Sequence, residues 1–296
     1  MKQISMEELL TITFVLIDDW YQSKCYHRST IGRTVEMMDS EILTLIVAMD
    51  FLEFTSERHY LEFIRANYKY LFPKLLEQSQ YNRRVRDLTP ILESLRLTWA
   101  NDLGLAIERY FLLDTTPVMA LGYYRDKSRS DFLGSAGYGY CSARKLKYFG
   151  YKVVLLSTID GIPGFLEVVP ANTDERAAAN EVLGRLHPNS LIIGDKGFIG
   201  KNWQSEWPEI NILTSHRENQ KKQLPKFIEK MINGVRERIE GVYKLAKEGG
   251  RTIEHNLART VEGMVSRIVA KITGLTLRRY LRDFFSIDVM TYRQTC

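Results

Sequence analysis

The sequence predicts an α/β protein: an all-α N-terminal domain over residues 1–107, then a sheet-bearing domain over residues 108–296 whose last part is helical and basic. Three observations predict it. Apolar residues recur at helical spacing through the first hundred positions, from Leu9, Leu10, Phe14 and Ile17 onwards. At Tyr110 that spacing gives way to short apolar runs bounded by turn residues, the mark of buried strands. Beyond residue 215 the helical period returns with an excess of cations.

Composition excludes several classes. With 296 residues, 45% hydrophobic and 26% charged, the chain can bury a substantial core and does not read as disordered or repetitive. No apolar run of about 18 residues occurs, so no membrane partner is expected. Cys25, Cys141 and Cys296 are too few and too scattered for a disulfide framework or a zinc site. That usage fits a reducing cytoplasm. Residues 1–80 hold 8 Lys/Arg against 12 Asp/Glu, whereas residues 217–282 hold 16 against 7. A C-terminal part this basic points to a polyanion, nucleic acid before membrane.

The elements follow in order. Met6–Gln22 is a helix, and Asp39 and Ser40 offer N-caps for another through Ile42, Leu45, Ile46, Met49 and Leu52. Ser56 can cap Glu57–Leu71, which Phe72-Pro73 ends. A further helix from Tyr81 is broken or kinked near Pro90 and runs on towards Trp99. Arg83, Arg84 and Arg86 at its start suit either phosphate contact or simple solvation.

Tyr110–Val118 reads as a buried strand with one acid inside it, Asp114. A buried carboxylate costs several kcal/mol unless it is paired or holds a metal, so Asp114 is a functional candidate. Residues 119–150 interleave Arg125, Lys127, Arg129, Arg144 and Lys145 with tyrosines, a mixture suited to a phosphate backbone and unpaired bases; Cys141 is expected in a loop there. Tyr151–Thr158 and Phe165–Val169 form a hairpin about Asp160–Gly164. A helix capped by Thr173 or Asp174 runs to Leu186. Ser190–Gly194 is a second apolar strand, ending in Asp195 with glycines on both sides, at the strand end where α/β sites gather. Ile210–Leu213 is one more strand. His187 is expected to be structural, and His216 stands at the entrance to the basic region.

A long helix spans roughly Phe227–Glu248, ended by Gly249-Gly250, and Thr252 can cap a last helix through Ile253, Leu257, Val261, Val265, Ile268 and Ile272. In the long helix Arg236, Glu240 and Lys247 fall within roughly 40° of one another, with Lys244 beside them. Two readings fit: a solvated face with i,i+4 ion pairs, or a metal-holding carboxylate among phosphate-holding cations.

The order strand with Asp, two strands, helix, strand ending in Asp, strand, helix with Glu resembles the RNase H-like core of DDE-type transposases and retroviral-type integrases. Arg236, Glu240 and Lys247 have the R-x3-E-x6-K spacing of bacterial insertion-sequence transposases, and Ile193–Phe198 is similar to their second-Asp signature. Tyr138–Cys141, Tyr148–Lys152 and Pro170–Arg176 resemble one subgroup, the insertion-sequence family numbered nine hundred and eighty-two. Where the wider motif often has Tyr three residues before the Arg, this chain has Asn233.

The resemblance implies an RNase H-like mixed sheet flanked by helices. It also implies a triad, Asp114, Asp195 and Glu240, holding two Mg²⁺ ions that Mn²⁺ can replace; hard carboxylates suit such ions. Arg236, Lys247, Lys244 and Lys196 would hold phosphates beside it. The implied partners are terminal inverted repeat DNA and target DNA, with at least a dimer to cut two ends. A metal-dependent nuclease or resolvase of the same class, a catalytically dead DNA-binding derivative and a structural helical protein with an unrelated α/β domain are the alternatives.

Overall fold

The computed structural model describes residues 2–24, 26, 36–142, 145–214, 225–248, 252–254 and 257–289. Two compact units emerge, one made of Met1–Trp99, Glu248–Ile253 and Glu262–Cys296, the other of Ala100–Lys247 and Glu254–Val261.

The first unit is helical: α1 (Met6–Ser23), α2 (Asp39–Ala48), α3 (Glu57–Asn67), α4 (Gln78–Asp87), most of α5 (Thr89–Asp102) and α9 (Val261–Phe285). A capping box starts α1: the Glu8 N–H donates to the Ser5 hydroxyl (3.1 Å) while the Ser5 N–H donates to the Glu8 carboxylate (2.7 Å). Asp39 proves to be the first residue of α2 rather than its cap. Met38 stands at the cap, and its N–H donates to Glu41 at 2.7 Å. Pro90 falls in the first turn of α5, where its missing N–H leaves nothing unpaired, so the kinked helix of the sequence reading resolves into two. Helix α2 is buried almost all round, and its Ile42, Leu45 and Ile46 share a core with Leu9, Tyr60, Leu95, Leu277 and Leu281.

The last helix differs from the sequence reading in two ways. It packs within the first unit, although the reading grouped it with the sheet. It also begins at Val261, not after Thr252. The reason is tertiary: the Met119 N–H donates to the Glu254 carbonyl (3.4 Å), and Lys247 pairs with the Glu254 carboxylate (2.9 Å). Inside α9 the buried ammonium of Lys271 lies 2.6 Å from the buried Asp50 carboxylate and donates to the Glu248 carbonyl at 2.8 Å. The Lys271–Asp50 contact is a charge pair whose angles fall outside those of a hydrogen bond.

The second unit is a six-stranded mixed sheet: β1 (Tyr110–Leu121), β2 (Gly137–Cys141), β3 (Leu146–Thr158), β4 (Pro163–Pro170), β5 (Leu191–Gly194) and β6 (Asn211–Thr214). The order is β2-β3-β1-β5-β6, with β4 also paired to β3. Strands β1 to β4 pair antiparallel, while β1–β5 and β5–β6 are parallel. Helix α6 (Glu175–Leu183) packs on β3 and β4, and α8 (Lys226–Lys247) packs on β1 and β5; α7 (Lys201–Ser205) is a short connector. This is the RNase H-like arrangement expected from the strand order.

Three strands, β1, β3 and β4, run longer than the sequence reading had them, and Cys141 ends strand β2 instead of lying in a loop. Gly150 shows how closely β3 approaches β1. A Cβ there would lie 2.2 Å from the Val118 carbonyl and 2.7 Å from the Ala120 nitrogen, at the register shift between Met119 and Leu121. Only glycine lets the two backbones approach so closely. Among the described residues no helix is long and apolar enough to cross a membrane.

Candidate active site

Register brings the two aspartates together. In the parallel pair β1–β5 the last matched residues are Leu113 and Gly194, so Asp114 is the next residue of β1 and Asp195 the residue that follows the end of β5. Strands in a sheet run about 4.8 Å apart. Asp114 is half-buried, opposite Leu155 of β3, and its carboxylate accepts the Thr115 N–H at 2.8 Å. Asp195, also half-buried, opens the short helical turn Lys196–Phe198, whose Phe198 N–H donates to the Asp195 carbonyl at 3.0 Å.

Glu240 arrives on α8. The buried face of that helix is Ile232, Ile239, Val242, Tyr243 and Ala246, at helical spacing, and Glu240 is exposed at its margin. Tyr243, one turn beyond Glu240, is the residue that sequence reasoning missed. Its hydroxyl donates to the Asp114 carbonyl at 2.8 Å, with the Val153 carbonyl at 3.4 Å, so α8 is tied to β1 at the first aspartate itself. Burial, and then the Asp114 carboxylate, push the Tyr243 phenol well above its usual range, so it stays protonated and donates. The apolar spacing of α8 placed Tyr243 on the sheet side; nothing in the sequence indicated its polar target.

Three hard carboxylates with no soft ligand are the right donor type for a divalent cation. Two of them are neighbours across β1 and β5. Among the described residues no three Asp, Glu, His or Cys groups are gathered around one point.

The cations sort into two groups. Lys247 pairs with the buried carboxylate of Glu254 at 2.9 Å and lies over the Tyr243 ring at 5.7 Å, so it braces the segment after α8. Arg84 pairs with Asp39. Lys127 donates to the carbonyls of Tyr123 and Arg125, both at 2.5 Å, and sits over Tyr138 and Phe149. These three have partners of their own. Lys244, Arg83, Arg125, Arg129 and Lys145 are exposed, and Arg86 is half-buried. The side chains of Arg236 and Lys196, and the whole of Arg144 and His216, lie outside the described residues. His187 is held to the Ala106 carbonyl at 3.0 Å, in keeping with a structural role.

The motif Pro170–Arg176 also has structural work. Asp174 caps α6, accepting the Arg176 N–H at 3.0 Å and its guanidinium at 3.1 Å, and the Thr173 carbonyl accepts from Lys152 at 2.8 Å. Burial lowers the Lys152 pKa, an effect that Glu175 and Asp174 oppose.

The strand order and pairing define a class, that of RNase H-like α/β folds. The particular family follows from sequence: residues 106–261, more than half of the chain, match the model of the transposase DDE domain, and the chain belongs to that family. Solved structures offer distant likenesses. A Mos1 transposase paired-end complex with left transposon end is 13% identical, with 77% of this chain and 83% of that chain covered and a TM-score of 0.22. The Mos1 strand transfer complex is 14% identical, with 90% and 85% covered and a TM-score of 0.23. The family assignment rests on the domain match alone. No curated protein matches the sequence.

Proposed function

We propose that this transposase-family protein cuts the ends of a bacterial insertion sequence and joins the freed 3′-OH ends to target DNA, with Asp114, Asp195 and Glu240 as its catalytic carboxylates. The observation that carries the reading is the register that sets Asp195 beside Asp114, with Tyr243 tying the Glu240 helix to the same residue. The three carboxylates would hold Mg²⁺ or Mn²⁺. When bound, such ions activate the entering oxygen and stabilise the leaving one in an in-line displacement at phosphorus.

The chain's own residues supply the rest. Asp114 is fixed through its backbone on both sides, by Leu155 in the sheet and by the Tyr243 hydroxyl, so its carboxylate is presented from a rigid strand. Lys244, exposed one turn beyond Glu240, would meet phosphate, and Arg236 and Lys196 would share that task as the family resemblance implies. Lys247 acts through Glu254, as a brace. Terminal inverted repeats and target DNA are the partners, and cutting two ends calls for at least two copies.

The test is incubation of labelled element ends with Mg²⁺ and mapping of the products to the nucleotide. Asp114→Asn, Asp195→Asn and Glu240→Gln are each expected to abolish cleavage while DNA binding persists. Strand cleavage retained in any one of them removes that residue from the triad. A pre-cut 3′-OH end that is never joined to target DNA would make the protein a nuclease.

A further inference from the structure

We propose that a second site, at the far end of β1 from the carboxylates, binds an unpaired stretch of DNA. A cavity of about 900 Å³ opens there, lined by Leu121, Arg125, Arg129, Phe132, Leu257 and Arg259 among others. Seven residues of strand separate Asp114 from Leu121, about 23 Å at about 3.3 Å per residue, so this is not the site already described.

Three features define the ligand. First, the cavity draws its cations from two separate segments: Arg125 and Arg129 come from the β1–β2 connection, and Arg259 comes from the stretch before α9. All three are exposed, and among the described residues no carboxylate pairs with their guanidinium groups. Two acids also line the cavity, Asp126 and Asp131. Asp126 is turned onto Ser128, accepting its N–H at 3.0 Å and its hydroxyl at 2.7 Å. Exposed guanidinium groups recognise phosphate oxygens.

Second, apolar residues share the lining with the cations: Ala120, Leu121, Phe132 and the 63%-exposed Leu257. Next to Arg125 stands Tyr124, 94% exposed and edge-on to Tyr123, which in turn meets Tyr138. Large exposed rings beside guanidinium groups are stacking platforms for bases, and only unpaired bases can reach them. The volume is that of a small-ligand cleft and admits a few nucleotides. A duplex, whose major groove alone is about 12 Å wide, does not enter it.

Third, the loop is held in advance. The Lys127 ammonium clamps the Tyr123 and Arg125 carbonyls, which sets the backbone that carries Tyr124 and Arg125 before any ligand arrives.

This inference rests on the DNA-processing role proposed above, and the experiment separates the two. The full chain is titrated in EDTA, so that nothing is cut, against three fluorescein-labelled probes: a twelve-nucleotide oligothymidylate, an abasic strand of the same length and a random-sequence duplex. The triple variant Arg125→Ala, Arg129→Ala, Arg259→Ala is expected to bind oligothymidylate at least tenfold more weakly. The slope of log affinity against log salt should become shallower by about 2, since each phosphate neutralised on a single strand contributes about 0.7. Duplex affinity should change less than twofold. Tyr124→Ala should weaken oligothymidylate about tenfold and leave the abasic strand unaffected. The urea midpoint controls for folding, and the triple Arg→Lys variant should recover part of the affinity.

An unchanged affinity for oligothymidylate in the triple alanine variant overturns the proposal, as does parent protein that binds the abasic strand equally well. A parent chain that binds duplex and no single strand refutes this site alone. A parent chain that binds neither refutes the site and counts against the DNA-processing role too.

Discussion

Replacing Tyr243 by Phe would measure how firmly the Glu240 helix is fixed to Asp114. The ring is 3% exposed and Phe fills the same volume, so the change removes one hydroxyl and leaves no cavity. That hydroxyl donates to the Asp114 carbonyl at 2.8 Å and approaches the Val153 carbonyl at 3.4 Å. A buried hydrogen bond contributes about 0.5–1.5 kcal/mol net, and a carbonyl stripped of its partner adds part of a desolvation penalty. The expected loss is therefore about 1–2 kcal/mol, a fall of about 2–4 °C in Tm for each kcal/mol in a unit of this size. Urea titration reads it directly. The pH dependence follows from the raised phenol pKa. Stability carried by the protonated hydroxyl is whole below about pH 10, where the unfolded Tyr is also protonated, and falls at higher pH as the unfolded chain ionises first. The gap between parent and Phe variant should thus be constant from pH 6 to 9 and narrow above 10. A Phe variant with the parental urea midpoint would refute the anchoring role.

Two further substitutions test other joints of the second unit. Gly150→Ala should destabilise it by about 3 kcal/mol or more, because the new methyl meets the Val118 carbonyl and the Ala120 nitrogen, which are backbone and cannot swing aside; a urea midpoint within error of the parent would contradict that. Lys247→Ala should lower the unfolding free energy by about 1–2 kcal/mol even without DNA, read as a lower urea midpoint, by removing an ion-pair partner of the buried Glu254 carboxylate. Loss of DNA affinity at unchanged stability would return Lys247 to the role of a phosphate ligand.

The parts of the candidate site carried by local pattern were legible in the sequence. An apolar strand with an acid inside it marked Asp114, a second ending in Asp-Lys-Gly marked Asp195, and helical spacing put Glu240 on one ridge with Arg236 and Lys247. Pairings between distant segments were not legible. Lys247 and Glu240 share a helical ridge, yet Glu254, seven residues on, takes the lysine. Arg84 looked like a cation at a helix start, but its partner Asp39 is on another helix. Ile253, Leu257 and Val261 have good helical spacing. The backbone of Glu254 is nevertheless drawn to Met119, and that bond outweighs the propensity to begin a turn. In each case a long-range contact selected between two locally acceptable states.

The helical unit is drawn from both flanks of the chain, with the sheet unit strung between Trp99 and Glu262. This imposes a schedule on synthesis. The sheet unit has all of its sequence once Val261 is made. The helical unit began first, but it must hold Leu9, Ile42 and Tyr60 without the α9 residues Leu277 and Leu281 that complete their core. At about 5–20 residues per second, that wait lasts on the order of ten seconds or longer after α1 is made. The half-built unit is then the part of the nascent chain most in need of shelter, which pulse proteolysis of stalled ribosome complexes ending before and after α9 would reveal.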